Sequence, residues 1–504
     1  MRTAVFYPRQ RTSRQGPAIG EAILSPSFSF ATRGLLARVG AIVGGVIALA
    51  AACALAAPAV LAADQEGAPS FAPGAPSVVR SPPAPVVAYA NADLGQLING
   101  ASEPVIAGER LNVGLLRRFY ARHGFQPVWT TRPAQARSLM NAVLHAGDQG
   151  LAPELFHANL LLSPTLPPLY RELVLSDAFL SYADALARGV MPIERRRDDE
   201  TLTPAPIDVA GALDAAIDSP DPAAVIEALA PTTPTYRLLR QTLQNLQSGN
   251  PAGGKIATSR LREIEVNLER ERWLPRRLPA DRVWVNVADE RLVLYRDDRP
   301  VFSTRVIVGQ DELRNQSPEF QVTINGIFFN PPWNIPEDIA TGEILPKASR
   351  DPNYLAQHNM VMLPDGGLQQ LAGPNSGLGQ LVFDMKNRFD VYLHDTPSKN
   401  LFSRDDRRIS HGCIRVENSR ELAALLMQQP ADAIDQAIAA GSTTRSDLPE
   451  PVPVFVAYET AFADVDGRLQ FRPDIYGRDA DIWQYLDPER RAVAEREAPG
   501  QRGG

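Results

Sequence analysis

Cysteine is scarce in this chain: its 504 residues include only 2, Cys53 and Cys413. So few thiols exclude a disulfide scaffold, and they exclude a zinc site built from several cysteines. The His, Asp and Glu residues form no cluster with the spacing of metal ligands either. The sequence therefore predicts neither a metal nor a cofactor.

Positive charge is also in short supply. The chain has 51 Lys and Arg against 58 Asp and Glu, a net charge of −7, so it lacks the basic face of a protein that binds nucleic acid. Hydrophobic residues make up 44% and charged residues 22%, which is typical of a folded globular protein and excludes wholesale disorder. The length corresponds to about three domains.

Long apolar runs are absent except for one, residues 39–61, which follows a segment with six arginines and no acidic residue close to the run. A basic segment, an apolar core and small residues up to Ala63 are typical of an export signal. The run is also long enough to span a bilayer, so an uncleaved membrane anchor is the alternative. Cys53 lies inside the run, where its neighbours do not favour lipidation. We expect an exported chain, with cleavage favoured over anchoring.

Composition divides the rest of the chain into segments. A Pro-, Ala- and Ser-rich stretch follows the apolar run and indicates an extended tether. Apolar residues then recur at helical spacing, as at Leu115, Leu116 and Phe119, until the period changes to two from Arg282 onward. We predict an export signal or anchor at 1–63, a tether at 64–92, a helical domain at 93–247, a linker and connecting helix at 248–280, a β-rich domain at 281–480 and a tail at 481–504.

Three local patterns refine this division. Residues 257–273 are predicted to form an amphipathic helix whose Arg and Glu residues face solvent. Residues 320–329 are a candidate pair of strands. Residues 331–375 form a Pro-rich insertion between strands, which is typical of a lid or a binding loop. The predicted fold class is α+β, with an all-helical domain followed by a β-rich domain that carries this insertion.

Cys413 is the one cysteine that remains if the export segment is removed. A lone thiol in an exported protein is either reactive or buried and inert, and the neighbouring residues favour the first alternative. Gly412 permits a tight turn that presents successive N–H groups to a developing oxyanion. His394, at the end of a predicted strand, is a candidate acceptor for the thiol proton, and such a transfer generates the thiolate nucleophile.

These residues stand in two motifs, Ser-His-Gly-Cys-Ile-Arg-Val at 410–416 and Tyr-Leu-His-Asp-Thr-Pro at 392–397, whose histidine lies nineteen residues before the cysteine. Together the motifs resemble the active-site signature of L,D-transpeptidases. Other segments resemble the large periplasmic branch of that family: 119–120, 127–129, 305–309, 330–336 and 474–479. The resemblance extends over about 93–479.

The resemblance implies a β-rich catalytic domain that acts on peptidoglycan stem peptides in the periplasm or cell envelope. A thiolate attacks the third residue of a tetrapeptide stem and releases the terminal D-alanine. The side-chain amine of a second stem then resolves the thioester and forms a 3→3 cross-link. Attachment to the inner membrane follows if the apolar run is not cleaved, and the sequence does not define the oligomeric state.

The resemblance also assigns roles to individual residues. It makes Cys413 the nucleophile and His394 the general base, with the backbone carbonyl of Asp395 orienting the imidazole. It places the N–H groups of His411, Gly412 and Cys413 in the oxyanion hole. These assignments are expectations for the geometry of the site.

Other residues are candidates for contact with the substrate. Arg415 either braces the catalytic loop, which we favour, or binds a carboxylate. Further candidate contacts are polar or aromatic side chains near the motifs and in the insertion: Asp395, Trp333 and Tyr392. Three arginines before the motif either attract anionic stems or form a solvated basic loop: Arg404, Arg407 and Arg408.

Alternative functions stay open. If water resolves the thioester, the enzyme is an L,D-carboxypeptidase, and a protein acceptor would link stems to an envelope protein. A non-catalytic peptidoglycan-binding envelope protein is a different class, against which the intact Cys and His pair argues. One departure from the family bears on substrate capture. Large periplasmic relatives carry a small peptidoglycan-binding module before the helix at 264–273, where this chain has only residues 248–255.

Overall fold

The structure is a computed structural model that describes residues 91–100, 104–248 and 257–491. The predicted export segment with Cys53, most of the tether, most of the 248–255 linker and the last residues of the tail lie outside the described residues. Within the described ranges, no helix is long and apolar enough to cross a membrane.

Residues 91–271 make up the helical region. Its described residues form α1 (Asn91–Asn99), α2 (Val113–Arg122), α3 (Pro133–Leu144), α4 (Ala158–Leu161), α5 (Pro168–Arg188), α6 (Val209–Ile217), α7 (Pro222–Glu227), α8 (Pro234–Gln247) and α9 (Ala257–Glu271). The prediction of an all-helical domain needs one correction, since a hairpin of β1 (Val105–Ile106) and β2 (Glu109–Arg110) lies between α1 and α2. Ala107 and Gly108, both at positive φ, make its turn.

Apolar spacing decides how these helices pack. On α2, the predicted stripe of Leu115, Leu116 and Phe119 is buried, and Asn112 caps the first turn by accepting a hydrogen bond from the Leu115 N–H. Helix α5 packs against α2, α3, α4 and α6, so it is buried on nearly every side. The long helix is thus the centre of the helical region.

Residues 282–486 make up the β region, which begins with four strands: β3 (Arg282–Asn286), β4 (Arg291–Arg296), β5 (Arg299–Gly309) and β6 (Phe320–Phe329). The residues that alternate along β3, such as Val283 and Val285, are fully buried, as the period of two predicts. The prediction of a strand pair at 320–329 is wrong, because β6 is one continuous strand that pairs along its length with a later strand.

The insertion follows β6 and folds as a small unit with its own sheet. Its elements are β7 (Trp333–Ile335), α10 (Glu337–Ile339), a π-helical turn (Ala340–Ile344), α11 (Leu345–Ala348), α12 (Tyr354–Gln357), β8 (Met360–Met362) and β9 (Leu368–Gln370). The three strands form a separate sheet in the order β7-β9-β8. Ile335, Ala340, Ile344 and Leu368 give the insertion its own small apolar core.

After the insertion the chain returns to the main sheet. The remaining elements are β10 (Leu381–Asp384), β11 (Leu393–His394), β12 (Arg408–Ser410), β13 (Ile414–Val416), α13 (Ser419–Met427), α14 (Ala431–Ala439), β14 (Thr444–Ala457), β15 (Ala461–Ala463), β16 (Leu469–Phe471) and α15 (Asp479–Leu486). The main sheet has the strand order β12-β5-β13-β11-β10-β6-β14-β3-β4. Because β4 also pairs with β5, the sheet closes into a barrel around an apolar core.

The end of helix α9 and the turn after it correct a prediction, because their polar residues from Asn267 onward do not face solvent. Asn267, Glu269, Arg270, Glu271 and Arg272 are all buried. The helix lies between α8 of the helical region and α15 and β15 of the β region, so both of its faces are covered. The two buried cations are paired: Arg270 contacts Asp479 at 2.6 Å, and Arg272 contacts Glu269 at 3.1 Å. Pairing makes such burial tolerable.

Candidate active site

Cys413 lies in a tight turn that joins β12 to β13. Gly412 has a φ of +107°, a conformation that disfavours side chains, and this confirms the predicted turn. Ser410 Oγ accepts a hydrogen bond from Gly412 N–H at 3.2 Å and donates one to the Cys413 carbonyl at 2.6 Å. Ser317 Oγ donates to the Gly412 carbonyl at 2.8 Å. Two serine hydroxyls therefore fix the backbone around the thiol.

Strand pairing brings His394 to the same face of the sheet as Cys413. β11 runs parallel to β13, with Leu393 opposite Ile414 and His394 opposite Arg415. Leu393 and Ile414 are fully buried in the barrel core. Since side chains alternate along each strand, His394 and Arg415 point to the other face. Cys413 lies in the turn directly before β13, and its thiol interacts electrostatically with the Arg415 guanidinium. The sheet thus gathers these three predicted site residues.

His394 is buried, and its environment keeps the imidazole neutral. Burial is the main cause that lowers its pKa to about 4, and the nearby Arg415 guanidinium lowers it further, against the opposing effect of the Asp395 and Leu378 carbonyls. Nδ1 lies 2.6 Å from the Asp395 carbonyl oxygen, the contact that the resemblance implies. A carbonyl only accepts hydrogen bonds, so Nδ1 carries a proton in this contact, and the Leu378 carbonyl is a second hydrogen-bond acceptor beside the same ring.

Cys413 is partly buried, and its thiol is protonated in the resting site. Burial raises the pKa of Cys413, while the Tyr392 backbone and the Arg415 guanidinium lower it to a smaller extent. Sγ lies 3.8 Å from the Asp390 carbonyl oxygen, an acceptor that favours the thiol over the thiolate. The resting pair is therefore a neutral thiol and a neutral imidazole rather than an ion pair.

Arg415 is the positive charge of the site. Its Nε is buried without a hydrogen-bond partner, and Arg415 makes no salt bridge in the part of the chain that the structure describes. Burial lowers the pKa of Arg415, and the Cys413 thiolate would raise it. An uncompensated guanidinium beside the thiol favours any negative charge that develops there.

The expected oxyanion hole needs a correction at Gly412. Its N–H is already bonded to Ser410 Oγ, so it is not available to a substrate oxygen. The N–H groups of His411 and Cys413 have no acceptor among the described residues, and they are the donors that remain. The His411 side chain makes a contact that the sequence does not predict: its Nε2 lies 2.8 Å from Glu343 Oε1 in the π-helical turn of the insertion.

Asp395 corrects another prediction, because its carboxylate is occupied by the protein itself. It accepts hydrogen bonds from Lys399 Nζ at 2.8 Å, Ser419 Oγ at 2.7 Å and Gln380 N–H at 2.9 Å. Burial alone would raise the pKa of Asp395, but these hydrogen bonds outweigh it and lower the pKa. The side chain holds the segment after His394 in place and does not face a substrate.

Of the aromatic candidates, Tyr392 lies next to Cys413 along the pairing of β11 with β13, because the Ile414 N–H donates to the Tyr392 carbonyl at 2.9 Å. Its hydroxyl donates to Asp390 Oδ1 at 3.5 Å. Trp333 belongs to the insertion, where it packs against Gly377 and the small apolar core. Both residues therefore have protein contacts of their own.

The three arginines before the motif do not form one basic surface. Arg407 is largely buried and contacts Glu290 at 3.1 Å. Arg408 pairs with Asp406 at 2.6 Å. Neither interpretation from the sequence holds for Arg407, which serves to hold the segment before β12 against β5.

Ser317 is the site residue that the sequence does not reveal. It precedes β6 in the chain and is fully buried, and nothing in its neighbourhood along the sequence marks it. Ser410, by contrast, is the first residue of the motif at 410–416. The residues that the structure describes contain no group of three or more His, Cys, Asp or Glu side chains that could hold a metal ion.

Comparison with known families finds two matches along the chain. Residues 114–243 match a family profile described as a scaffold domain, and residues 280–451 match the profile of the L,D-transpeptidase catalytic domain. The second match includes the barrel strands, the insertion, His394 and Cys413. Helices followed by a β-rich domain agree with the predicted α+β class.

Individual relatives carry the same family name. A candidate L,D-transpeptidase of Haemophilus influenzae is 29% identical over 397 residues, which cover 73% of this chain and 78% of that protein. An Enterococcus faecium L,D-transpeptidase mutant of known structure is 10% identical, with a TM-score of 0.19, over 36% of this chain and 50% of that chain. An L,D-transpeptidase from Mycobacterium smegmatis is 14% identical, with a TM-score of 0.19, over 35% of this chain and 58% of that chain. The matches span about half the length of these solved chains.

Proposed function

We propose, from the match of residues 280–451 to the L,D-transpeptidase catalytic domain, that the chain cross-links peptidoglycan stem peptides through a thioester on Cys413. The donor is a tetrapeptide stem, the acceptor is the side-chain amine of a second stem, and the product is a 3→3 cross-link. The observation that most directly supports this is the parallel pairing of β11 with β13, which brings His394 and Arg415 to the face of Cys413.

Acylation begins from the neutral pair. Sγ of Cys413 attacks the carbonyl carbon of the third stem residue, and its proton passes to the unprotonated nitrogen of His394. The N–H groups of His411 and Cys413 receive the oxyanion. The C–N bond to the terminal D-alanine then breaks, and His394 returns the proton to the leaving amine. The products are free D-alanine and a Cys413 thioester.

Deacylation repeats these steps with an amine. The side-chain amine of a second stem attacks the thioester carbonyl, and His394 accepts a proton from it. The C–S bond breaks, the proton returns to Sγ, and the new amide is the cross-link. Because water could take the place of this amine, exclusion of water from the thioester decides between cross-linking and trimming, and the insertion beside His411 is the element that could provide it.

The electrostatics of the site support proton transfer during attack. The pKa of His394 is about 4 and that of Cys413 is above its usual range, so a preformed thiolate and imidazolium pair is not stable at neutral pH. Arg415 and the carbonyl oxygens around His394 stabilise the charges once the substrate is attacked. General-base assistance of this kind contributes about 10²- to 10⁴-fold to a rate.

The test is incubation of the purified full chain with a disaccharide-tetrapeptide, followed by mass spectrometry of the protein and the peptides. We expect a Cys413 acyl adduct and a 3→3 linked dimer. The matched control is Cys413→Ala, which should keep the fold and form neither species. Tripeptide without dimer would replace the proposal by L,D-carboxypeptidase activity, and an unchanged tetrapeptide without adduct would exclude both.

We also propose that the protein acts in the cell envelope, where such substrates lie. The support is the basic segment and apolar run at 1–63, which lies outside the described residues. Fractionation of cells that make the full chain, with N-terminal sequencing of the product, tests this. An intact N-terminus in the membrane fraction indicates an anchor, a shortened soluble form indicates cleavage, and a cytosolic full-length chain contradicts the proposal.

A further inference from the structure

Arg478 is a fully buried cation that connects the two regions of the protein. Its Nη1 donates to Glu319 Oε1 at 2.8 Å, and its Nη2 donates to Asp199 Oδ2 at 2.7 Å. The guanidinium lies 5.2 Å from the ring centre of Tyr458 and 5.1 Å from that of Tyr476. Acidic partners and two aromatic faces hold it in one position.

One side of this cluster belongs to the helical region. Asp199 lies in the segment between α5 and α6, which runs beside the start of β6. Glu319 N–H donates to the Asp199 carbonyl at 2.7 Å, and Thr201 N–H donates to the Glu319 carbonyl at 2.9 Å. The helical region thus adds a short strand-like segment directly before β6.

The other side of the cluster reaches the turn of Cys413. Arg478 Nη2 donates to Gln316 Oε1 and to the Ser317 carbonyl, both at 3.2 Å. The Ser317 N–H donates to the Tyr476 hydroxyl at 3.3 Å, and Ser317 Oγ accepts from Gly309 N–H at 3.0 Å. Ser317 is therefore fixed through its carbonyl, its N–H and its hydroxyl at once.

Ser317 in turn orients a single peptide unit, the one between Gly412 and Cys413. Its hydroxyl donates to the Gly412 carbonyl at 2.8 Å. The Gly412 carbonyl and the Cys413 N–H belong to the same planar, trans peptide, so the N–H points away from the bonded carbonyl. The Gly412 N–H is occupied by Ser410, which leaves the Cys413 N–H as one of the two remaining donors for an oxyanion. Whatever orients the carbonyl orients that donor.

We propose that Ser317 and Arg478 are positioning residues that aim the Cys413 N–H at the substrate carbonyl oxygen, with Asp199 as the contribution of the helical region. This inference rests on the proposed thioester chemistry of Cys413. It assigns a catalytic purpose to the contact between the two regions: the helical region helps to hold the oxyanion donor. The thiol itself is not reached by this chain of contacts, so its intrinsic reactivity is independent of them.

The experiment compares two reactions of the same sulfur in the full chain. Acylation by disaccharide-tetrapeptide needs an oxyanion hole, whereas alkylation by iodoacetamide does not. For Ser317→Ala we expect the maximal acylation rate to fall about 10-fold or more, with a KM within twofold of wild type, because loss of an oxyanion donor costs about 10²- to 10³-fold and misorientation costs part of that. The alkylation rate and its pH profile should stay within twofold of wild type.

Matched variants separate positioning from general damage. Ser317→Thr keeps the hydroxyl and should recover most of the acylation rate. Asp199→Asn keeps the fold of an incompletely buried position and should slow acylation about 3-fold or more. Asp481→Asn removes a salt bridge with Arg197 in the same contact between regions, touches neither Arg478 nor Ser317, and should leave both reactions unchanged. Arg478→Lys is informative only if circular dichroism matches the wild type, and Ser317→Ala decides in any case.

Three outcomes would overturn the inference. The first is a Ser317→Ala chain that is acylated at the wild-type rate. The second is a Ser317→Ala chain whose alkylation falls as much as its acylation, which would indicate a general structural role. The third is a wild-type chain that forms no thioester, which removes the proposed function as well. In the first two cases the wild type is still acylated, so the failure of the inference is distinct from the failure of the function.

Discussion

The contact between the helical and β regions and the face around Cys413 both bury ionisable groups, but they treat them in opposite ways. Between the regions, Arg270 has Asp479 and Arg478 has Asp199 as direct partners. Around Cys413, the guanidinium of Arg415 has no acidic partner among the described residues. Two carbonyl oxygens and, to a smaller extent, the charge of Asp395 oppose the desolvation of His394.

This difference separates stability from reactivity. A buried charge with a partner is a structural element, and removal of one partner leaves the other charge exposed to a medium that does not solvate it. A buried titratable group without a countercharge has a perturbed pKa and is poised to exchange a proton or attract an opposite charge. We therefore expect substitutions between the regions to change mainly unfolding, apart from the contacts from Asp199 through Arg478 to Ser317 that are proposed above to orient the Cys413 N–H. Substitutions on the Cys413 face should change chemistry.

The largest expected effect is a loss of acylation rate after substitution on the Cys413 face. His394→Ala should lower the acylation rate by tetrapeptide about 10²- to 10⁴-fold, because the general base is lost. The free energy of unfolding should not fall by a comparable amount, since no buried charge loses its partner. Stopped reactions analysed by mass spectrometry give the rate, and urea denaturation gives the stability. Acylation within threefold of wild type would remove His394 from the mechanism.

The contact between the regions should show the reverse. Arg270→Met is expected to lower the free energy of unfolding by about 3–5 kcal/mol, because Asp479 would stay largely buried without its cation. The control is Arg188→Met on α5, whose side chain is half exposed in its pair with Asp184, a pair worth about 1 kcal/mol or less. Urea denaturation of both variants measures the contrast. Equal losses for the two variants would contradict the distinction between paired burial and surface pairing.

Arg415 should change the chemistry of the thiol with little effect on stability. Since its guanidinium lowers the pKa of Cys413, Arg415→Met should move the pH profile of alkylation to higher pH. In the wild type the alkylation rate should keep rising above pH 9, because burial raises the pKa of the thiol. Iodoacetamide labelling between pH 5 and 10, read by mass spectrometry, measures both profiles. A plateau that starts below pH 7 would indicate a preformed thiolate and contradict the neutral resting pair.

The smallest expected effect is a pH-dependent change in stability at Glu265 on α9, a largely desolvated carboxyl for which no cation among the described residues opposes the shift of its pKa. Burial raises the pKa of Glu265 to about 7. A carboxyl whose folded pKa lies above its unfolded value of about 4.5 contributes stability below pH 4.5, and that contribution is lost as the pH rises through 7. Glu265→Gln should therefore gain stability relative to wild type as the pH rises over this window. Melting temperatures of both chains at pH 4.5, 6 and 8 check this, and a constant difference would show that Glu265 is not desolvated.

The same comparison explains what the sequence could predict. Local patterns sufficed for the barrel strands, because alternation in β3 depends only on which residues face the core. The two motifs sufficed to nominate His394 and Cys413, because both stand in short characteristic segments. The closed barrel and the register that puts these residues on one face needed the structure, since β11 and β13 are two and three residues long.

The errors have a common physical cause: the deciding partner is far along the chain. The charges of α9 read as solvent-facing because Asp479, the partner of Arg270, lies 209 residues away. Ser317 lies 95 residues from the carbonyl that it holds. At Gly412 the distance is short, but the sequence does not show that Ser410 takes its N–H. The structure supplies the missing partners in each case.

The parallel pairing of β11 with β13 has one more consequence, for how this enzyme can vary. The spacing of His394 and Cys413 is set by backbone hydrogen bonds between two strands of the barrel wall, and the side chains on the inner face contribute only packing. Conservative exchanges in that packing can therefore accumulate during evolution while the spacing persists, whereas a one-residue insertion in β13 would turn Cys413 to the opposite face. Lineages should differ freely in barrel volume and hardly at all in the lengths of these two strands.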